Sequence, residues 1–183
     1  LFLAENAHIF DPDGLPVRQL DRAGERSEIL PRLGVQQHRA PPDAVLEALE
    51  FENLKGLFPS ADETAHMCFC HGDFHYANIL WAEHQISGIL DFELAGYGNK
   101  EFDIAWAVFR RPGQKFLRTE AELQTFLKGY RQFGTCDTEA VKTYMAQCYV
   151  YFLQFCGDDA EYCAYARAWL QAFANEKRGR RTD

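Results

Sequence analysis

The chain has 183 residues, 47% of them hydrophobic, which is enough for one large or two small domains. A formal charge of -8, from 27 acidic and 19 basic residues, argues against a general nucleic-acid binder, because such a protein needs a basic face. There is no stretch of the roughly 18 apolar residues that a membrane span needs, and the opening LFLAENAHIF does not resemble a signal peptide. We therefore expect a cytoplasmic protein that contacts neither nucleic acid nor membrane.

The first 42 residues contain five of the seven prolines and show no sustained hydrophobic period, so residues 1–42 are predicted to be a loop-rich leader. Residues 43–183 are predicted to form one lobe. It begins with an amphipathic helix that runs from Asp43, the expected N-cap, to about Phe58. Short apolar runs then predict β-strands at 67–70, 78–81 and 85–92.

After Phe102 the apolar residues follow the helical period, which predicts a helical bundle over residues 102–176. Thr119 and Glu122 form a capping box at the start of one helix, and Asp137 precedes another. The helix after Asp137 is expected to face the core with an apolar stripe from Val141 to Phe155, and a last helix is expected to begin at Asp158 or Asp159. The fold class is therefore α+β and mostly helical.

The six cysteines form no C-x-x-C pair and no ligand set with zinc-finger spacing, so we expect reduced thiols. Cys148, Cys156 and Cys163 fall among apolar helical positions, where cysteine acts as a small hydrophobic residue. Cys68 and Cys70, on one face of a predicted strand beside histidines 66 and 71, leave a metal site as a minor alternative.

A dense polar cluster, HGDFHYAN at residues 71–78, lies between two predicted strands, where loops are often functional. A later strand ends in Asp91, thirteen residues after Asn78. A His-x-Asp sequence, an Asn five residues after that Asp, and a hairpin that ends in a second Asp are typical of phosphoryl transfer in kinases. Asp73 would orient the acceptor hydroxyl and take its proton, and the oxygens of Asn78 and Asp91 would suit Mg²⁺.

The supporting residues have more modest predicted roles. His71 is expected to brace the loop through hydrogen bonds to backbone or carboxylate, and Asp103 either caps a helix or reaches back to the loop. His75 is expected to be a hydrogen-bonding loop residue. Glu93 could touch a second metal ion, a cationic substrate or only solvent.

The segments HGDFHYANIL and ISGILDFELAGYGNKEFDIAW resemble the aminoglycoside phosphotransferase and choline kinase superfamily. The resemblance implies the C-terminal lobe of a protein-kinase-like fold, with a small β-hairpin that carries the catalytic loop at residues 71–93. It implies ATP and Mg²⁺ as cofactors and a small-molecule hydroxyl acceptor. It also implies site roles: Asp73 as catalytic base, Asn78 and Asp91 as ligands of the metal and the nucleotide, and His71 and Asp103 as structural supports of the catalytic loop.

The superfamily also uses a glycine-rich loop and a strand lysine from an N-terminal lobe. This sequence contains no G-x-G-x-x-G, its only lysine before Asp73 is Lys55, and it begins at Leu1 without Met. We therefore expect a fragment whose N-terminal lobe is missing and whose activity alone is weak.

The acceptor and two competing functions stay open at the level of sequence. The acidic balance, the carboxylates at positions 158, 159 and 161, and the helical aromatic residues fit an amine-bearing acceptor, although capping explains the carboxylates better and core packing explains most of the aromatic residues. A non-catalytic binding or regulatory module with a kinase-like fold is the first alternative. A metal-dependent phosphoesterase is the second, suggested by Gly72-Asp73-Phe74-His75, but only His84 lies downstream to add ligands.

Overall fold

The computed structural model describes residues 40–58, 67–114 and 119–179. Within those ranges the fold is mixed α+β and mostly helical, as predicted, and no helix is both long and apolar enough to cross a bilayer. Most of the predicted leader lies outside the described residues, so the division into leader and lobe stays a prediction.

The described β-structure consists of two antiparallel pairs. Strands β2 (Ile79–Ala82) and β3 (Gln85–Ile89) form a hairpin, and β1 (Met67–Cys70) pairs with the more distant β4 (Gly96–Asn99). The two residues that turn the hairpin, Glu83 and His84, both have positive φ, as the tightest hairpin turns require.

The predicted strands differ from the observed ones in two places. The strand expected at 85–92 ends at Ile89, because the chain turns into left-handed backbone at Asp91. Strand β4 was not predicted, because a Gly-Tyr-Gly-Asn sequence has low strand propensity and here depends on its partner β1.

The first helix is shorter than expected. Helix α1 spans only Asp43–Ala48, and a 3₁₀ turn follows at Glu52–Leu54. The prediction of one helix to Phe58 is wrong because Glu50 adopts a positive φ of 63°, which interrupts the helix. The N-cap is Pro42 rather than Asp43, which is the first residue inside the helix.

Four further helices form the body of the lobe: α2 (Lys100–Val108), α3 (Glu120–Tyr130), α4 (Thr138–Leu153) and α5 (Ala160–Gly179). Their starts confirm the predicted capping. Thr119 and Glu122 form the reciprocal capping box of α3, and the Asp137 carboxylate caps α4. Asp159, not Asp158, accepts from the backbone N–H of Tyr162 at the start of α5.

The core lies where α2 packs on α4 and where α5 covers α4. Fully buried side chains on these helices include Phe102, Tyr149 and Leu170, and Cys148 is buried among them as a small apolar residue. The expected inward stripe of α4 ends earlier than predicted. Helix α4 stops at Leu153, and Phe155 beyond it is 70% exposed.

Candidate active site

The candidate catalytic loop joins β1 to β2 and depends on one glycine. Gly72 has φ +80°, a backbone conformation that favours glycine. A Cβ at this position would stand 2.3 Å from the backbone oxygen of Leu94, closer than any real contact. The loop can therefore pack against the segment after Asp91 only because residue 72 has no side chain.

Asp103 holds the start of the loop from helix α2. Its two carboxylate oxygens accept the backbone N–H groups of His71 and Gly72, each at 2.9 Å. The sequence left open whether Asp103 caps a helix or reaches back to the loop. The structure shows that it reaches back to the loop, and Asn99 caps α2 instead. Burial raises the pKa of Asp103, and the two backbone hydrogen bonds offset part of this rise.

His71 is completely buried and connects the loop to the end of the hairpin. Its Nδ1 accepts the N–H of Asp73 at 3.3 Å, so the neutral ring carries its proton on Nε2. That Nε2 lies 2.9 Å from the backbone oxygen of Leu90, to which it donates. Because Leu90 precedes Asp91, His71 connects the loop through the backbone to the segment that carries Asp91, and so braces the loop.

The carboxylate of Asp73 has three polar neighbours. Oδ1 accepts the indole N–H of Trp106 at 2.7 Å. Oδ2 lies 3.3 Å from Nδ2 of Asn78 and 3.4 Å from Nε2 of His75. The Nδ1 of His75 accepts the N–H of Ala77, and desolvation lowers the pKa of His75, so the ring is neutral and donates through Nε2.

Trp106 is a site residue that the sequence analysis missed. It lies on the apolar stripe of α2, 33 residues after Asp73, and such a residue is usually a core aromatic. The one available signal was its indole N–H, which needs a partner when the ring is buried.

Asn78 and Asp91 present oxygens that make no hydrogen bond within residues 40–58, 67–114 and 119–179. Asn78 donates its Nδ2 to the backbone oxygen and to Oδ2 of Asp73, which leaves its amide Oδ1 without a hydrogen bond among the described residues. The backbone oxygen of Asn78 accepts the N–H of Leu90 at 2.8 Å, which holds the two ligand-bearing segments together. Asp91 is exposed, with φ +64° and no polar contact within the described ranges.

These two oxygens suit a hard cation. Mg²⁺ prefers carboxylate and amide oxygens and keeps several waters, so a pair of protein ligands is sufficient when phosphate oxygens complete the set. The free Oδ1 of Asn78 and the unpaired carboxylate of Asp91 therefore fit the metal implied by the motif. Glu93 is exposed, and it makes no hydrogen bond or ion pair in the part of the chain that is described.

The cysteines next to the loop do not form a wider ligand set. The Sγ atoms of Cys68 and Cys70 face each other at 3.8 Å. Over residues 40–58, 67–114 and 119–179, no group of three or more His, Cys, Asp or Glu side chains is arranged to hold a metal ion. His84 stands exposed in the hairpin turn, and His71 is engaged with backbone.

The helical aromatic residues that could bind an amine-bearing acceptor include Tyr165, and a cationic side chain of the protein already lies over its ring. The guanidinium of Arg110 lies 4.5 Å from the ring centre of Tyr165, and its Nη2 donates to Glu161 at 2.7 Å. Tyr149 and Trp169 line the same small surface cavity. Asp159 and Glu161 are thus engaged within the protein as a cap and an ion-pair partner.

With this geometry in place, comparison with known proteins identifies the family. The sequence pattern of the phosphotransferase enzyme family matches residues 3–140. The chain belongs to this family. The match includes the whole loop from His71 to Asn78, the hairpin and Asp91, and it supports kinase-type phosphotransferase chemistry. Comparison with curated proteins gives no match.

A solved structure supports the same fold. The crystal structure of a thermostable mutant of aminoglycoside phosphotransferase APH(4)-Ia, in its apo form, is similar with a TM-score of 0.50 at 17% sequence identity. The similarity covers 83% of this chain and 52% of that chain, so the chain spans about half the length of that phosphotransferase. At this identity the likeness concerns the fold alone.

Proposed function

We propose that the chain carries the catalytic residues of an ATP- and Mg²⁺-dependent phosphotransferase that moves the γ-phosphate to a hydroxyl of a small molecule. The observation that carries the proposal is the arrangement at Asp73. Its carboxylate is held by Trp106 and Asn78, and the Oδ1 of Asn78 has no hydrogen bond among the described residues. Asp91 directly follows Leu90, whose backbone oxygen anchors His71.

In this proposal Asp73 orients the acceptor hydroxyl and accepts its proton as the new bond to phosphorus forms. Asn78 Oδ1 and the Asp91 carboxylate would hold Mg²⁺, which, when bound, neutralises the charge of the nucleotide phosphates. His71 and Asp103 support the loop through backbone hydrogen bonds. Glu93 is free to face a second metal ion or the acceptor.

The acceptor class is the finer part of the proposal. Aminoglycosides, choline and ethanolamine stay candidates because of the acidic balance of the chain. The cavity beside Tyr165 supports an amine less than the sequence suggested, since Arg110 lies on that ring.

We also propose that these 183 residues alone turn over slowly. Phosphoryl transfer needs a cover over the phosphates and a cation beside them. The sequence has no glycine-rich loop, and its only lysine before the site is Lys55. Lys55 forms an ion pair with Glu47, with 2.5 Å between Nζ and Oε1. An additional lobe would supply both groups.

The test measures ADP release from Mg·ATP with a panel of aminoglycosides, choline, ethanolamine, homoserine and sugars, using the chain and the longest available form of the protein. We expect turnover with one acceptor class and a loss of about a hundredfold or more in Asp73→Ala. Asp91→Ala should abolish the Mg²⁺ dependence of nucleotide binding. The control is Asp43→Asn, which removes an exposed carboxylate at the start of α1.

Two outcomes would contradict the proposal. Equal turnover by Asp73→Ala would remove the assigned base. Binding of Mg·ATP that responds to Asp91→Ala, without turnover of any acceptor, would favour the non-catalytic module instead.

A further inference from the structure

The two carboxylate oxygens of Asp73 have unequal hydrogen bonds. Oδ1 accepts the indole N–H of Trp106 at 2.7 Å, the distance of a strong charge-assisted hydrogen bond. Oδ2 has only the longer contacts to Asn78 at 3.3 Å and His75 at 3.4 Å. The Nδ2 of Asn78 also divides its donation, because it lies closer to the backbone oxygen of Asp73 at 3.0 Å.

Trp106 is held rigidly where it meets Asp73. Only 5% of the residue is exposed. Its ring packs against Phe102 at 5.9 Å, Phe109 at 5.3 Å and Phe152 at 5.9 Å between ring centres. A buried indole enclosed by three aromatic rings has one orientation, so the position of its N–H is fixed.

Arg111 braces Trp106 from the other side. Its guanidinium carbon lies 5.0 Å from the Trp106 ring centre and 4.4 Å from that of Phe109, and its Nη2 donates to the backbone oxygen of Trp106. Burial lowers the pKa of Arg111 to about 10, so the group is still a cation at neutral pH. Its charge attracts the Asp73 carboxylate.

We propose that Trp106 is a positioning residue that reserves Oδ1 of Asp73 and leaves Oδ2 as the oxygen that accepts the acceptor's proton; this rests on the proposed function. Because Oδ1 accepts the short hydrogen bond of the indole N–H, its negative charge is stabilised and it is a weaker proton acceptor than Oδ2. The proton of the acceptor hydroxyl passes to Oδ2 as the hydroxyl oxygen bonds to the γ-phosphorus. The bond from that phosphorus to the bridging oxygen breaks, and its electron pair leaves with ADP.

The contact is tested by NMR on the ¹⁵N-labelled chain without any acceptor. The Trp106 indole resonance is assigned as the one lost in Trp106→Phe. In Asp73→Ala we expect this resonance to move upfield and its proton to exchange with solvent about tenfold faster or more, because one hydrogen bond is lost. The indole resonance of Trp169, on α5, should not move. An unchanged Trp106 resonance in Asp73→Ala would overturn the contact.

The positioning role is tested by kinetics with the best acceptor of the panel. Trp106→Phe keeps an aromatic ring and removes the N–H donor, so we expect kcat to fall about tenfold while KM for Mg·ATP stays unchanged. Trp81→Phe, at an exposed position on β2, is the matched control and should keep the wild-type kcat. A kcat of Trp106→Phe within about twofold of wild type would overturn the role.

The two tests separate this inference from the function on which it rests. If no acceptor is turned over by the wild-type protein, the proposed function fails, and the catalytic role of Trp106 fails with it. The NMR comparison then still decides whether Trp106 orients Asp73. If the wild type is active, Asp73→Ala is inactive and Trp106→Phe keeps the wild-type kcat, the function stands and the inference fails.

Discussion

The carboxylate of Asp103 accepts the backbone N–H of His71 at 2.9 Å across a separation of 32 residues. This hydrogen bond fixes the candidate catalytic loop to helix α2, and the second oxygen of the same carboxylate holds Gly72. The loop is therefore positioned from two sides, by the helix through Asp103 and by the hairpin through His71.

The first prediction concerns the pH dependence of stability. Burial raises the pKa of Asp103, so the folded chain binds this proton more tightly than the unfolded chain, in which the pKa is about 3.9. The contribution of Asp103 to the free energy of unfolding must then fall as pH rises from about 4 through the raised folded value. Urea unfolding at a series of pH values should show that the stability of wild type relative to Asp103→Asn decreases over this range. A difference that grows with pH would contradict the prediction.

The second prediction concerns Gly72, with Gly113 as a control. Gly72→Ala should lower the free energy of unfolding by about 2 kcal/mol or more, measured by urea unfolding, because its Cβ meets the Leu94 backbone oxygen. The variant should also lose activity. Gly113 has a similar positive φ of 68°, but a Cβ there would have nothing within 4 Å. Gly113→Ala therefore measures the backbone strain alone, about 1 kcal/mol. Equal losses in the two variants would show that the close approach to Leu94 is unimportant.

The local features of the fold could be predicted from the sequence, and the long-range ones could not. The capping box of Thr119 and Glu122 is local, because each residue satisfies the other within one turn. Strand β4 escaped prediction because Gly96–Asn99 becomes a strand only by pairing with β1, which is distant in the sequence.

The site shows the same limit. The spacing of Asp73 and Asn78 indicated their proximity, since five residues of a tight loop keep them together. The contact from Trp106 to Asp73 depends on how α2 packs against the loop, and an apolar helical stripe gives no sign of it. For Asp103 the sequence left a cap and a loop support equally open, and only the position of Asn99 at the cap decides between them.

The third prediction concerns the cation beside Tyr165. Because Arg110 lies over this ring, a quaternary ammonium ion cannot use the same face in wild type. Arg110→Ala should open the face, so that tetramethylammonium perturbs the NMR signals of Tyr165 and Trp169 at about tenfold lower concentration than in wild type. The control is Arg167→Ala, which removes a cation over Phe51 instead. Equal binding of tetramethylammonium by wild type and Arg110→Ala would show that Arg110 does not occlude the ring.

The last prediction compares the two loop histidines. His71→Phe keeps the ring volume and the contact with Phe92, whose ring centre is 4.5 Å away, but it removes both nitrogens. The N–H of Asp73 and the backbone oxygen of Leu90 then lose their partner in a buried place, at a cost of about 1–3 kcal/mol for each group. His75→Phe removes only partly exposed contacts, to Ala77 and Asp73, where water can replace the imidazole. Urea unfolding should therefore show the larger loss for His71→Phe, and kcat should fall with it because the loop and the hairpin lose their common anchor. A loss in His75→Phe that equals or exceeds that of His71→Phe would contradict the bracing role, since of the two histidines it is His71 that contacts both segments, at Asp73 and at Leu90.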